Sequence, residues 1–139
     1  MKKELLSALL KVQAKLEVIK KGKEGQVGHR TFMYAPLEVI WAEIKDTIQE
    51  NGFYVGHEIS KEGVLTTAYH EFGQLQSFFS FGQLSDPKDI GIGATYGKRY
   101  NIVAIFNIQL ENEDSDVELI SGKAKNESKY QPVSSIDSL

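Results

Sequence analysis

The stretch at residues 86–106, DPKDIGIGATYGKRYNIVAIF, decides how the rest of the chain is arranged. Asp86 is a residue type that caps helices, Pro87 suits a first helical position, and Asp89 puts negative charge where the helix dipole favours it. The stretch is therefore predicted to be a long helix that begins at a cap. Its three glycines and its Lys-Arg pair need an explanation that fits a helix.

The glycines do not fit a phosphate-binding loop. A dinucleotide-binding fingerprint needs its glycines directly after a strand in a parallel βαβ unit, whereas here a Pro-containing cap precedes them and no further strand follows. Tyr96 stands where the third glycine of that fingerprint would be. The sequence also has no Walker A pattern, so hydrolysis of the P-loop type is not supported. A nucleotide-binding enzyme is the weakest functional alternative.

Helical periodicity predicts which side of this helix packs. At ~100° per residue, one broad apolar arc is expected to lie on a sheet. Its members are Ile92, Tyr96, Tyr100, Val103 and Phe106. Gly91, Ala94 and Gly97 are expected elsewhere on the helix surface. There, close approach by another backbone, from the sheet, a neighbouring subunit or a ligand, would offset the cost of up to ~1 kcal/mol that each glycine brings. Arg99 falls within or beside the arc, and Lys98 lies on the more polar side. Because Tyr96 and Tyr100 share the arc, they are predicted to pack the helix on the sheet rather than to stack bases.

Three strand-like runs precede this helix. They are FYVGHEIS at residues 53–60, VLTTAYH at 64–70 and QLQSFFSF at 74–81. The connectors, KEG and EFG, are three residues long and end in glycine, as tight hairpins do. The runs therefore predict a three-stranded antiparallel meander, and a meander of this size needs the helix to cover one face.

Two further helices are predicted upstream, over residues 3–20 and 36–51. The apolar stripe of the first comprises Leu6, Leu9, Leu10, Leu16 and Ile19, and that of the second comprises Leu37, Ile40, Trp41, Ile44 and Ile48. Pro36 is expected at the first helical position of the second helix, and Gly52 just past its end. Between the helices, residues 20–28 read as a mobile loop and residues 29–35 as a short strand-forming segment.

The periodicity ends after Gln109, and the chain becomes acidic and then polar and Ser-rich. This composition predicts a flexible tail. The predicted fold is therefore α+β: N-terminal helices, then a three-stranded antiparallel β-meander packed by a long helix, then a flexible C-terminal tail. The predicted domain is residues 1–110, and the acidic then polar tail is residues 111–139.

Composition excludes several kinds of function. The chain has no cysteine, which removes disulfides, thiolate metal sites and cysteine nucleophiles and fits a reducing cytoplasm. No apolar run approaches the ~20 residues that span a bilayer, so no membrane role is expected. The histidines and the acidic run lack the spacing of metal sites, so no metal is expected.

Net charge is −3, which taken alone disfavours nucleic acid as a partner. The charges are unevenly distributed, however. Residues 1–36 carry eight Lys or Arg against three Glu, and residues 111–118 carry five acidic residues and no basic one. A basic front and an acidic rear cancel in the sum but not in space, although charged runs are usually solvated faces and nothing more.

The stretch at residues 86–106 resembles the signature of the ERF (essential recombination function) family of bacteriophage single-strand annealing proteins. The matching elements are Asp86-Pro87, Gly91, Thr95-Tyr96, Lys98-Arg99-Tyr100 and the acidic run at 111–116. Upstream, FMYAPLEVIWAEIKDTIQENGF resembles the family's Tyr-Ala-x-Leu helix ending in Asn-Gly, and VLTTAYHEFGQLQSFFSF resembles its central hairpin. The resemblance covers residues 26–116. Gly93 and Gly97 depart from it, because the family commonly has alanine or a larger residue there.

The resemblance implies binding of single-stranded DNA and ATP-independent annealing of complementary strands in phage homologous recombination, with no enzymatic activity and no cofactor. It also implies a distant relationship to the eukaryotic single-strand annealing mediator, whose β-β-β-α core assembles into rings. We therefore expect a homo-oligomeric ring or filament in the cytoplasm of the bacterial host. Candidate protein partners are a phage exonuclease and a host single-strand binding protein. The alternative is a small α+β protein-interaction module with no nucleic-acid role, which the negative net charge would suit.

Annealing requires cationic side chains that neutralise phosphates while base edges stay free. The candidate DNA contacts are Lys98, Arg99, Arg30, Lys20, Lys21 and Lys23. Arg99 is open between two roles, a DNA contact and a structural ion pair. Tyr34, Tyr54 and Tyr69 are candidates for base stacking, but packing within the sheet is the favoured interpretation.

Overall fold

The computed structural model describes residues 1–19, 23–27, 30–34 and 36–111. For residues 23–27 and 30–34 it describes the backbone, and for the other ranges it also describes the side chains. The elements in chain order are α1 Lys3–Lys15, β1 Lys23–Val27, β2 Arg30–Tyr34, α2 Leu37–Glu50, β3 Tyr54–Ile59, β4 Gly63–His70, β5 Gly73–Ser80 and α3 Pro87–Phe106. Strands β3, β4 and β5 form one antiparallel sheet, and β1 and β2 form a separate two-stranded ribbon. The predicted α+β fold, with a meander followed by a long helix, is confirmed.

The meander has β4 at its centre, paired along its length with both neighbours. The β3–β4 register runs from Tyr54↔Tyr69 to Ile59↔Val64, and β5 pairs with β4 in the same antiparallel sense. Successive side chains of a strand point to opposite faces. Val64 and Thr66 contact α3, so even positions of β4 face the helix and odd positions such as Tyr69 face away.

Helix α3 begins and ends as its sequence predicts. The Asp86 side chain accepts a hydrogen bond from the backbone N–H of Lys88 at 2.8 Å, and Pro87 is the first helical residue. At the other end Asn107 adopts the left-handed conformation at φ 51° and closes the helix. A capped, 20-residue helix therefore crosses the meander.

The side of α3 that packs on the sheet is not the predicted one. The buried residues of the helix are Gly93, Ala94, Gly97, Asn101, Ile102 and Phe106. Ile92, Tyr96 and Tyr100, predicted to face the sheet, are about half exposed. Of the predicted arc, only Phe106 is fully buried and Val103 packs partly against the core. The small residues lie away from the tyrosines, as predicted: Ala94 and Gly97 are buried, with the sheet as the close neighbour of Gly97, and Gly91 is exposed.

The reason for this orientation is steric. A Cβ added to Gly97 would lie 2.9 Å from Phe79 Cδ1 and 3.0 Å from Val64 Cγ2. A Cβ on Gly93 would lie 3.3 Å from the ring of Phe81. The sheet and the segment after it supply the large side chains, so the helix face that meets them must be small.

Helix α2 places its predicted apolar stripe in the core. Ile40, Ile44 and Ile48 are fully buried, and Leu37 and Trp41 are partly buried against the same cluster. Pro36 stands one residue earlier than predicted, at the N-cap. Gly52 has a positive φ of 86°, which supports its predicted position just past the helix.

Helix α1 is shorter than predicted and buries a different face. It ends at Lys15 rather than at residue 20, because the following chain turns to pair with the segment after α3. There Ile19 forms a parallel bridge with Leu110, and its side chain is buried. The helix buries Leu5, Ala8 and Val12. Leu6 and Leu10 of the predicted stripe are exposed.

The segment predicted to be a mobile loop contains a strand. Residues 23–27 form β1, which pairs antiparallel with β2 from Lys23↔Tyr34 to Val27↔Arg30. The following segment, predicted to form a strand, is confirmed as β2. The loop prediction was wrong because it relied on the glycines of the segment and did not consider that the next segment could pair with it as a strand.

The predicted tail falls at the end of the described chain. Residues 112–139 lie outside the described residues, so the predicted boundary at residue 110 stays a prediction. Among the helices that the structure describes, none combines the length and apolarity needed to cross a membrane.

Candidate nucleic-acid interface

A groove separates the start of α2 from the exposed side of α3, and we call it the α2–α3 groove. It consists of two depressions of about 380 and 450 Å³. Leu37 and Glu38 of α2 and Thr95 of α3 line both. Arg99 lines the first depression and Lys98 the second, so the Lys-Arg pair of the sequence brings two cations to one continuous surface.

Lys98 lies against the sheet end of the groove, close to His57. Both side chains are partly exposed, and His57 Nδ1 is hydrogen-bonded to Thr66 Oγ1 at 2.8 Å. Burial lowers the pKa of His57, and the positive charge of Lys98 lowers it further. His57 is therefore neutral at physiological pH, and the cationic charge in this depression is that of Lys98.

A buried hydrogen-bond network next to Lys98 fixes α3 on the sheet. Asn101 Nδ2 donates to the carbonyl oxygen of Val64 and to Thr66 Oγ1, each at 3.0 Å. The Ser77 hydroxyl donates to Asn101 Oδ1 at 3.0 Å. Asn101 lies one turn after Lys98 on the helix, so the network sets how far the Lys98 side chain stands from the sheet.

Arg99 lies among exposed aromatic rings. Its guanidinium carbon is 5.2 Å from the ring centroid of Tyr96 and 5.4 Å from that of Tyr100. Tyr100 in turn stacks on Phe79, with centroids 5.7 Å apart and planes within 4°. Arg99 has a further interaction besides these two ring contacts. We call Tyr96, Arg99 and Tyr100 the aromatic face of α3.

The structure brings together two of the six predicted DNA contacts, Lys98 and Arg99. Lys23 and Arg30 belong to β1 and β2 and lie at opposite ends of the ribbon, since Lys23 pairs with Tyr34 and Arg30 with Val27. The side chains of Lys23, Arg30 and Tyr34 are outside the part of the molecule that the structure describes. Lys20 and Lys21 lie outside the described residues altogether.

Tyr54 and Tyr69 lie on the sheet face opposite α3. Their rings stack across the strands at 6.1 Å, over the space left by Gly56, so the favoured packing interpretation accounts for their contact. They remain exposed nevertheless, as does Phe78 on the same face. The charged strand residue on this face is Glu58, so it offers no cation to a phosphate.

Sequence reasoning missed His57, Asn101 and the outward direction of Tyr96 and Tyr100. An asparagine in an otherwise apolar helix segment was a usable signal, because a buried amide needs partners and fixes the inward face. The glycine spacing was a second one, since Gly93 and Gly97 stand one turn apart and mark a face of close approach. Within the described residues, no group of three histidine or carboxylate side chains is placed to hold a metal ion.

Comparison with known proteins gives one match. A family model described as the ERF superfamily matches residues 5–138, which is nearly the whole chain. A search of curated proteins and a search of solved structures each returned no significant match.

Proposed function

Because the chain belongs to the ERF superfamily, which is known for single-strand annealing in phage recombination, we propose that it binds single-stranded DNA and anneals complementary strands. The family match over residues 5–138 is the observation that carries this proposal. The two adjoining cations of the α2–α3 groove support it, because a groove that binds a strand must neutralise its phosphates.

In this proposal Lys98 and Arg99 hold consecutive phosphates along the groove. Both belong to a helix whose position the buried Asn101 network fixes, so the cations are held at a defined spacing before the strand arrives. Lys20, Lys21, Lys23 and Arg30 would extend the cationic track along the strand. Residues 1–110 would form the annealing domain, with residues 111–139 as its tail.

Annealing of this kind breaks no covalent bond, so the reaction needs no nucleophile, metal or nucleotide. The protein would act by raising the local concentration of extended strands and by screening their mutual repulsion. ERF proteins are annealing proteins, and the absence of a Walker A pattern from the sequence is consistent with ATP independence.

A homo-oligomeric ring or filament is the proposed working form, in the cytoplasm of the bacterial host. The three-stranded sheet supports this part of the proposal, because β3 and β5 each have one edge that no other described strand pairs with. A single groove spans few nucleotides, whereas repeated copies would hold a long strand. A phage exonuclease and a host single-strand binding protein are the proposed protein partners.

An annealing assay tests the proposal. Two complementary oligonucleotides carrying a donor and an acceptor fluorophore are mixed with and without the protein, in buffer free of nucleotide and divalent metal. We expect the protein to accelerate duplex formation, and the acceleration to decline as salt rises. A rate equal to that of the protein-free reaction, with no binding of either strand, would reject annealing and leave the protein-interaction module as the better account.

A further inference from the structure

We propose that Tyr96 and Tyr100 of the aromatic face form a base-stacking site that is separate from the phosphate contacts of the groove. This inference rests on the proposed function, because it assigns a place to the bases of the same bound strand. The ligand is the flat face of a nucleobase in single-stranded DNA, of any sequence.

The two rings are unusually available for such a role. Tyr96 and Tyr100 are 45% and 51% exposed, although each belongs to the helix that packs on the sheet. Their ring centroids are 6.4 Å apart with planes within 21°, and Phe79 stacks on Tyr100 from the sheet side. Phe79, Tyr100 and Tyr96 thus form a row of nearly parallel rings, which the sheet holds in place and whose outer end faces solvent.

Beside this row lies an open hollow of about 430 Å³. It is lined mainly by apolar and aromatic side chains, among them Phe79, Phe81, Leu84, Ile92, Tyr96 and Tyr100. A flat, uncharged ring fits this lining, because it would bury apolar surface and stack on a tyrosine at once. The charged group at the hollow is Asp89, which repels phosphate and therefore favours a base over the strand's backbone.

The two sides of Tyr96 differ in whether a cation is present, and this difference sets the direction of the strand. On one side lies the depression of the α2–α3 groove that Arg99 and Glu38 line, and on the other lies the hollow, whose charged group is Asp89. Phosphates would follow the side that offers Arg99, while bases turn over Tyr96 toward the hollow. Arg99 completes the site, because its guanidinium lies over the rings of Tyr96 and Tyr100 and also attracts the phosphate backbone.

The exposed rings on the other face of the sheet provide the contrast. Tyr54 and Tyr69 are also stacked and exposed, but the charged strand residue beside them is Glu58. Exposed rings on which a base could stack are thus present at both places. At the aromatic face of α3, a cation, Arg99, lies next to them. Stacking engages the faces of bases and leaves their pairing edges free, which annealing requires.

The test compares an oligothymidine with an abasic strand of the same length, each labelled for fluorescence anisotropy. The full-length protein should bind the oligothymidine more tightly. The Tyr96→Leu/Tyr100→Leu variant should lose about 10- to 100-fold in affinity for oligothymidine, at ~1–3 kcal/mol per stacked base, and little for the abasic strand. The Tyr96→Phe/Tyr100→Phe variant, which keeps the rings, should bind as the unaltered protein does. The matched control, Tyr54→Leu/Tyr69→Leu, should also leave binding unchanged.

A second measurement needs no variant. A strand carrying 5-iododeoxyuridine is bound and irradiated, and the crosslinked peptide is identified by mass spectrometry. We expect crosslinks at Tyr96 or Tyr100. Equal affinity of the unaltered protein for oligothymidine and abasic strands, or crosslinks at Tyr54 or Tyr69 instead, would overturn the stacking site while leaving DNA binding intact. Binding of neither strand would overturn the proposed function as well.

Discussion

The two sides of α3 use the same 20 residues in opposite ways. Over residues 93–101, one side carries Gly93, Gly97 and Asn101, which are small or polar, and it is buried on the meander; Ile102 and Phe106 continue the buried side toward the end of the helix. Over the same stretch the other side, the aromatic face, carries bulky side chains and is exposed. Ranking the residues of this stretch by hydrophobicity alone would assign the two sides the other way round. The comparison teaches that the shape of the opposing sheet decides which side of a glycine-containing helix is buried.

The difference has a functional consequence in this account. Because the buried side of the helix meets Phe79, Phe81 and Val64, the tyrosines do not fill the interface with the sheet, and Tyr100 contacts it through its stack on Phe79. They are then available to solvent next to Lys98 and Arg99. The glycines that looked like a phosphate loop therefore do contribute to ligand binding in this account, but indirectly, by turning the aromatic side outward.

The largest effect is expected from the polar anchor of the buried side. Replacing Asn101 by Leu removes its two amide N–H donors and its Oδ1 acceptor, and it leaves the Val64 carbonyl without its Asn101 partner. We expect a loss of about 2–4 kcal/mol in the free energy of unfolding, measured by urea denaturation. Ser77→Ala removes a single hydrogen bond of the same network, so its loss should be about 1 kcal/mol. Equal, small effects of both would mean that Asn101 does not anchor the helix.

The glycines give the next largest effect, and they provide an internal control. Gly97→Ala should destabilise the protein by about 1–3 kcal/mol, because its Cβ meets Phe79 and Val64. Gly91, on the exposed side, has nothing within 4 Å of the corresponding position. Gly91→Ala should therefore stabilise by up to about 1 kcal/mol through helix propensity. Thermal melting of both variants measures the difference, and a stabilising Gly97→Ala would reverse the assignment of the two sides.

The fold was largely predictable because its signals are local. The three strand-like runs and their glycine-terminated connectors identify β3 to β5, and Asp86 with Pro87 identifies the start of α3. The C-terminal end of α1 was not predictable in this way, since it depends on the pairing of Ile19 with the distant Leu110. Strand β1 was missed because the segment that contains it, residues 20–28, is rich in glycine and charged residues, although β2, with which it pairs, follows it directly in the sequence.

The candidate site was predictable in part. Lys98 and Arg99 were singled out because they are adjacent in a resembling signature, and they do reach one groove. His57 was not, because its position beside Lys98 follows from the β3–β4 register. Tyr96 and Tyr100 were assigned to the wrong side because helical periodicity reports apolarity and not the space available against the sheet.

The smallest effect concerns the pH dependence of stability at His57, which lines the α2–α3 groove beside the sheet. The pKa of His57 is lowered in the folded protein, so the unfolded chain binds a proton more readily. Stability should be full above the ordinary pKa of 6.5 and should decline as pH falls through the window below it. Between about pH 7.5 and about pH 5.5, the free energy of unfolding of the His57→Gln variant should fall by less than that of the unaltered protein. An identical decline in both proteins would show that His57 does not contribute to it.

The salt dependence of DNA binding tests most directly whether the exposed side of α3 binds single-stranded DNA. The affinity of the Lys98→Ala/Arg99→Ala variant for an oligothymidine is measured at several salt concentrations, beside a charge-matched control, Lys11→Ala/Lys45→Ala. Each lost phosphate contact on a single strand reduces the slope of log K against log salt by about 0.7, so we expect a reduction of about 1.4 and no change for the control. A variant with the slope of the unaltered protein, and an Arg99→Ala protein that melts several degrees lower, would contradict the account and make Arg99 a structural residue.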